Sequence, residues 1–125
     1  MSRILVIEDD ERIGQLITRA LENEGFATQR ESTGTDGLTA ALAQNFDLIV
    51  LDLTLPGMDG RTVLQRLVDE RPEQQVLVLS ALPDIGTRLA VLAAGAADFL
   101  GKPFALAELL ARVRALLGSA PKSSA

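Results

Sequence analysis

The chain has no cysteine and no histidine. The first absence removes disulfides, thiolate zinc sites and a cysteine nucleophile. The second removes a Ser-His-Asp triad, histidine-ligated metals and a phosphohistidine carrier. Long apolar runs are missing too. The first, Ile4-Leu5-Val6-Ile7, is too short for a signal peptide or a membrane-spanning helix, so a cytoplasmic protein without membrane contact is the expectation. Positive charge is also in deficit: 12 Lys and Arg against 17 Asp and Glu leave a net charge of −5. That balance argues against direct contact with nucleic acid or an anionic membrane. Chemistry is left to carboxylates, Ser and Thr hydroxyls and lysine. The 125 residues, 47% of them hydrophobic, suffice for one domain with one core and no covalent staples.

Four short apolar runs each end on a reactive side chain. Ile4-Leu5-Val6-Ile7 leads into Glu8-Asp9-Asp10, and Leu48-Ile49-Val50-Leu51 into Asp52. Val76-Leu77-Val78-Leu79 leads into Ser80, and Asp98-Phe99-Leu100-Gly101 into Lys102. Uninterrupted apolar tetrads read as strands buried on both faces, the pattern of a parallel sheet covered by helices. Ligands of such sheets sit at the carboxyl ends of the strands, where these side chains would meet. Apolar stripes at helical spacing lie between the strands: Ile13, Leu16, Ile17, Ala20 and Leu21, ended by Gly25; a shorter one at Leu38, Ala41 and Leu42; and Val63, Leu64, Leu67 and Val68, ended before Pro72. Leu89, Leu92 and Ala93 form a fourth, ended by Gly95, and Leu106, Leu109, Leu110, Val113, Leu116 and Leu117 a fifth. Ala27–Glu31 is the one polar strand candidate, which suits a sheet edge. Five strands alternating with five helices give an α/β fold, a doubly wound sheet with right-handed crossovers covering both faces. Residues 1–117 form this domain, and the small and polar residues 118–125 read as a flexible tail or the start of a linker.

Glu8, Asp9, Asp10 and Asp52 gathered at one edge would repel one another. Mg²⁺ would offset that charge: it takes hard oxygen ligands, commonly one or two carboxylates, and keeps waters that leave room for a phosphate oxygen. Glu8-Asp9-Asp10-Glu11 also reads as a solvated acidic helix start favoured by the helix dipole. Asp52 resists that simpler reading, because a carboxylate directly after a buried central strand is either paired or functional. Pro56-Gly57 then supplies a turn, and Asp59 a cap for the next helix.

With the motifs of residues 4–9, 48–60, 78–81 and 98–104 in this order and spacing, the chain resembles the receiver domain of two-component response regulators over about residues 3–117. The resemblance implies a flavodoxin-like sheet of strand order 2-1-3-4-5. It implies that Asp52 accepts a phosphoryl group from a sensor histidine kinase, with Lys102 and Ser80 binding phosphoryl oxygens. It places Asp9, Asp52 and the Thr54 carbonyl on Mg²⁺, with Glu8 acting through water, and suggests a cis Lys102-Pro103 bond. Ser80 and Phe99 take the switch positions. Thr54 and Leu82 flank the hydrolytic water, where neither offers a carboxylate or amide to orient it, so slow self-hydrolysis is implied.

Within that family the chain is most similar to the winged-helix transcription-factor subclass. The similarity implies a two-fold dimer of the phosphorylated form, with Arg88 paired to Glu108 and Asp98 to Arg112 across the axis. Ala97 departs from that pattern, since an acid is frequent there. The DNA-binding effector would lie outside this chain; a stand-alone receiver that shuttles phosphate or binds a partner protein is the alternative. A flavodoxin-type nucleotide site is disfavoured by the acids after the first strand, which would repel phosphate. A haloacid-dehalogenase-type phosphatase is disfavoured by Thr54, where that family has a second aspartate.

Overall fold

The computed structural model describes residues 2–81 and 84–118. The apolar tetrads form strands β1 (Arg3–Ile7), β3 (Leu48–Asp52), β4 (Val76–Ser80) and β5 (Asp98–Gly101), and the polar segment forms β2 (Ala27–Glu31). Helices α1 (Glu11–Asn23), α2 (Gly34–Ala43), α3 (Gly60–Glu70), α4 (Ile85–Ala93) and α5 (Leu106–Leu116) alternate with them. All pairings are parallel and the strand order is β2-β1-β3-β4-β5, with the polar strand at an edge.

Successive strand residues point to opposite faces, so β1, β3, β4 and β5 each feed two cores. Leu5, Ile7, Ile49, Leu51, Val76, Val78 and Phe99 pack with Leu38 of α2, Val63 and Leu67 of α3, and Val91 of α4. On the other face, Ile4, Val6, Leu48, Val50, Leu77, Leu79 and Leu100 pack with Ile17 and Leu21 of α1 and with Leu109 and Val113 of α5. Asp10, Thr33, Asp59 and Asp84 cap the first four helices through their side chains, whereas Ala105 leaves α5 without a side-chain cap. Such caps accept from orphan N–H groups of the first turn.

Two of the helical stripes read from sequence depart in part from the core. Leu16 is 54% exposed, and Gly14 takes an inward place on α1 instead. On α4, Leu89 and Ala93 are exposed, whereas Leu92 is half-buried and packs on the core beside Val91 and Ala94. The cause is compositional. Apolar residues stand on every side of α4, so periodicity alone does not choose a face. Leu82 and residues 119–125, on which a water-flanking position and a flexible tail were expected, lie outside the described residues.

Candidate functional site

The sheet register brings the strand ends level. Ile7 is opposite Leu51, Asp52 opposite Leu79, and Ser80 opposite Gly101. Backbone bonds carry the alignment one residue further, from Leu53 N–H to the Leu79 carbonyl (3.0 Å) and from Lys102 N–H to the Ser80 carbonyl (2.7 Å). Glu8, Asp52, Ser80 and Lys102 therefore converge on one edge although up to 94 positions separate them in sequence (102 − 8). Gly60 lets the start of α3 close on this edge, since a Cβ there would stand 2.5 Å from the Asp52 carbonyl oxygen.

Glu8 is fully buried and Asp52 is 3% exposed. Ionised carboxylates in such positions require compensation. Lys102 provides part of it: its Nζ lies 2.9 Å from Glu8 Oε1 and 3.3 Å from Asp52 Oδ2. The Asp10 N–H donates to Glu8 Oε2 at 3.1 Å and the Thr54 N–H to Asp52 Oδ1 at 3.3 Å. The cation is still not enough for Glu8. Burial pushes its carboxyl up to about 7 against the opposing hydrogen bonds from Lys102 and Asp10, and the Asp52 charge raises it further. For Lys102, burial alone would depress the ammonium, but the hydrogen bond to Glu8 and the charges of Asp52 and Glu8 together raise it.

Asp9 is exposed beside this pair, and oxygens of Glu8, Asp9 and Asp52 lie within 4.8 Å of one another. These three hard donors fit Mg²⁺: two are buried and short of positive charge, and the third opens to solvent, which would supply the remaining ligands. Ser80 is buried at the end of β4, and the Lys102-Pro103 bond is cis. Phe99, 3% exposed, belongs to the core on the side of α2, α3 and α4. The four charged residues assigned to an output surface all lie on α4, β5 or α5. Arg112 reaches Asp98 Oδ1 (3.0 Å) and Glu108 Oε2 (3.1 Å) within its own chain and donates to the Phe99 carbonyl (3.0 Å). Arg88 forms no ion pair among the described residues.

Sequence reasoning missed one neighbour of the site. Arg30, on β2, donates from Nη2 to the Glu8 carbonyl at 3.0 Å. A lone arginine on a polar edge strand carries no signal of such a role.

A profile of the response regulator receiver domain matches residues 4–114. The transcriptional regulatory protein PcoR of Escherichia coli is 39% identical over 125 residues, covering all of this chain and 55% of that protein. HprR of E. coli K12, also a transcriptional regulatory protein, is 44% identical over 115 residues, covering 92% of this chain and 51% of that one. Among solved structures, the receiver domain of the Francisella response regulator 1452 superposes with a TM-score of 0.91 at 33% identity, over 95% of this chain and 98% of its own. The chain spans about half the length of the curated relatives it matches. With the sheet order, the convergent acids and the family profile in agreement, the chain belongs to the response regulator receiver domain family.

Proposed function

We propose that this receiver is a phosphorylation-controlled switch whose acceptor is Asp52. The observation that carries the reading is the placement of the Asp52 carboxylate, buried at the end of a central strand with the Lys102 ammonium at 3.3 Å and the Thr54 N–H at 3.3 Å. An Asp52 oxygen attacks the phosphorus of a phosphohistidine on a sensor kinase. The O–P bond forms as the N–P bond breaks, and the electron pair and a proton end on the imidazole. Phosphoryl transfer asks mainly for alignment and charge neutralisation, so Lys102 and Ser80 serve it by binding phosphoryl oxygens, and no general base is required. Asp9, Asp52 and the Thr54 carbonyl would hold Mg²⁺, with Glu8 acting through water, and the ion would supply positive charge to the incoming group.

The output belongs to α4, β5 and α5. As Ser80 and Lys102 turn to the phosphoryl group, Phe99 repacks and shifts the surface bearing Arg88, Asp98, Glu108 and Arg112, which then closes a two-fold dimer. Transcription control through a winged-helix effector outside this chain is the reading that the transcriptional regulatory relatives support. Acetyl phosphate and Mg²⁺ should add one phosphoryl group to the wild type by intact mass and none in excess EDTA. Undiminished labelling in EDTA overturns the cation's part in this scheme.

A further inference from the structure

The Glu8 backbone stands where β1 leaves the sheet for α1. Its N–H still pairs with the Glu31 carbonyl of β2 at 3.0 Å, but its carbonyl has passed the last strand pairing. A buried carbonyl left there without a donor would be costly. Arg30 provides that donor, and the manner in which it does so is unusual. Its side chain runs across α1 at Gly14, where a Cβ would lie 2.1 Å from Arg30 Nε and 2.8 Å from Cδ and Cζ. Nε is buried without a hydrogen-bond partner, and among the described residues the guanidinium forms no ion pair with a carboxylate. A half-buried guanidinium without an anion, admitted only by a gap in a helix, is an expensive way to satisfy one carbonyl. What it secures is the turn that presents Glu8 and Asp9.

We propose that Arg30 is a positioning residue for the divalent-cation site, seated by Gly14 and acting through the Glu8 carbonyl on the carboxylates of Glu8 and Asp9. The inference rests on the Mg²⁺ reading of that acidic cluster. Position and charge pull in opposite directions here. A cation beside a cation site weakens binding by repulsion, so loss of the Arg30 charge alone would tighten Mg²⁺. Loss of the anchor would loosen it, and the guanidinium addresses a backbone carbonyl rather than the carboxylates, so the anchor dominates.

Calorimetric titration of Mg²⁺ into the wild type, Arg30→Leu, Arg30→Lys and Gly14→Ala separates the two. Arg30→Leu should weaken binding roughly fivefold, the worth of one hydrogen bond, and Arg30→Lys, which keeps a donor of similar reach, should recover part of the loss. Gly14→Ala should imitate Arg30→Leu, because it evicts the side chain while keeping the charge. Alanine is the better helix former, so this variant gains local helix stability and its fold is checked by circular dichroism. Tighter or unchanged binding in Arg30→Leu overturns the proposal, whatever Gly14→Ala does. A wild type that binds no Mg²⁺ overturns the cation site itself, and the positioning role with it.

Discussion

At the scale of single residues, Glu8 departs furthest from ordinary solution behaviour. Its carboxyl is pushed up to about 7 from 4.5, chiefly by burial. In the window between those values the folded chain holds a proton that the unfolded chain has released, so stability falls as pH rises through it. The chain has no histidine to titrate across the same window. In EDTA, the melting temperature should fall from about pH 5 to about pH 7, and Glu8→Gln should flatten that fall. A wild-type melting temperature that rises across the window would show that the burial penalty on Glu8 is already offset. Added Mg²⁺ should reverse the trend, since it binds the ionised carboxylates. Asp52, Ser80 and Lys102 were legible in sequence because each follows an apolar run that announces a buried strand. The bridging of both Glu8 and Asp52 by Lys102 was not, because it depends on strand register. Arg30 and Gly14 were illegible for a related reason: their contact joins α1 to an edge strand, and neither residue type signals it alone.

At the scale of elements, the strands were readable and one helix face was not. Parallel strands buried on both sides leave an unbroken apolar run, and a polar run marks the edge, so the sheet can be read in one pass. Helix α4 shows the limit. Apolar on every side, it buries Val91 and exposes Ile85 at 74% and Leu89 at 60%. That leaves part of the proposed output surface apolar. Helix α5 offers a test of local energetics. Ala105 has the extended backbone of an N-cap, φ −79° and ψ 137°, but no side-chain acceptor. Ala105→Ser should stabilise the chain by about 1 kcal/mol in urea unfolding. No gain would mean that the first-turn N–H groups of α5 are already satisfied. By contrast, Asp84→Ala should lower stability in the same urea unfolding, because Asp84 Oδ1 accepts from the Thr87 N–H at 2.7 Å to start α4.

At the scale of the whole molecule, the proposed phosphorylation would add roughly −1.5 to −2 charges at one sheet edge, and the response would have to reach a different surface. Arg112 is placed to take part, since it holds Asp98, Glu108 and the Phe99 carbonyl within one chain. Half-exposed ion pairs of this kind contribute about 0–1 kcal/mol each. Exchanging them for Arg88–Glu108 and Asp98–Arg112 pairs across a two-fold axis is therefore nearly neutral, and the preference has to come from the phosphoryl group. Carrying the population from mostly monomer to mostly dimer takes about 5 kcal/mol of preference, within reach of charge-assisted bonds from Lys102 and Ser80 together with a metal. Sedimentation with beryllofluoride, a phosphoryl mimic, should show a dimer that Arg112→Glu abolishes; a dimer indifferent to that reversal would remove this surface from the mechanism. All of this depends on where the phosphoryl group goes. The most direct measurement is to phosphorylate the chain with acetyl phosphate and Mg²⁺, reduce it with borohydride, and locate the resulting homoserine by peptide sequencing in a mass spectrometer. Conversion at Asp52 alone, absent from Asp52→Asn, is the expected result; conversion at Asp9 or at any other carboxylate would contradict it.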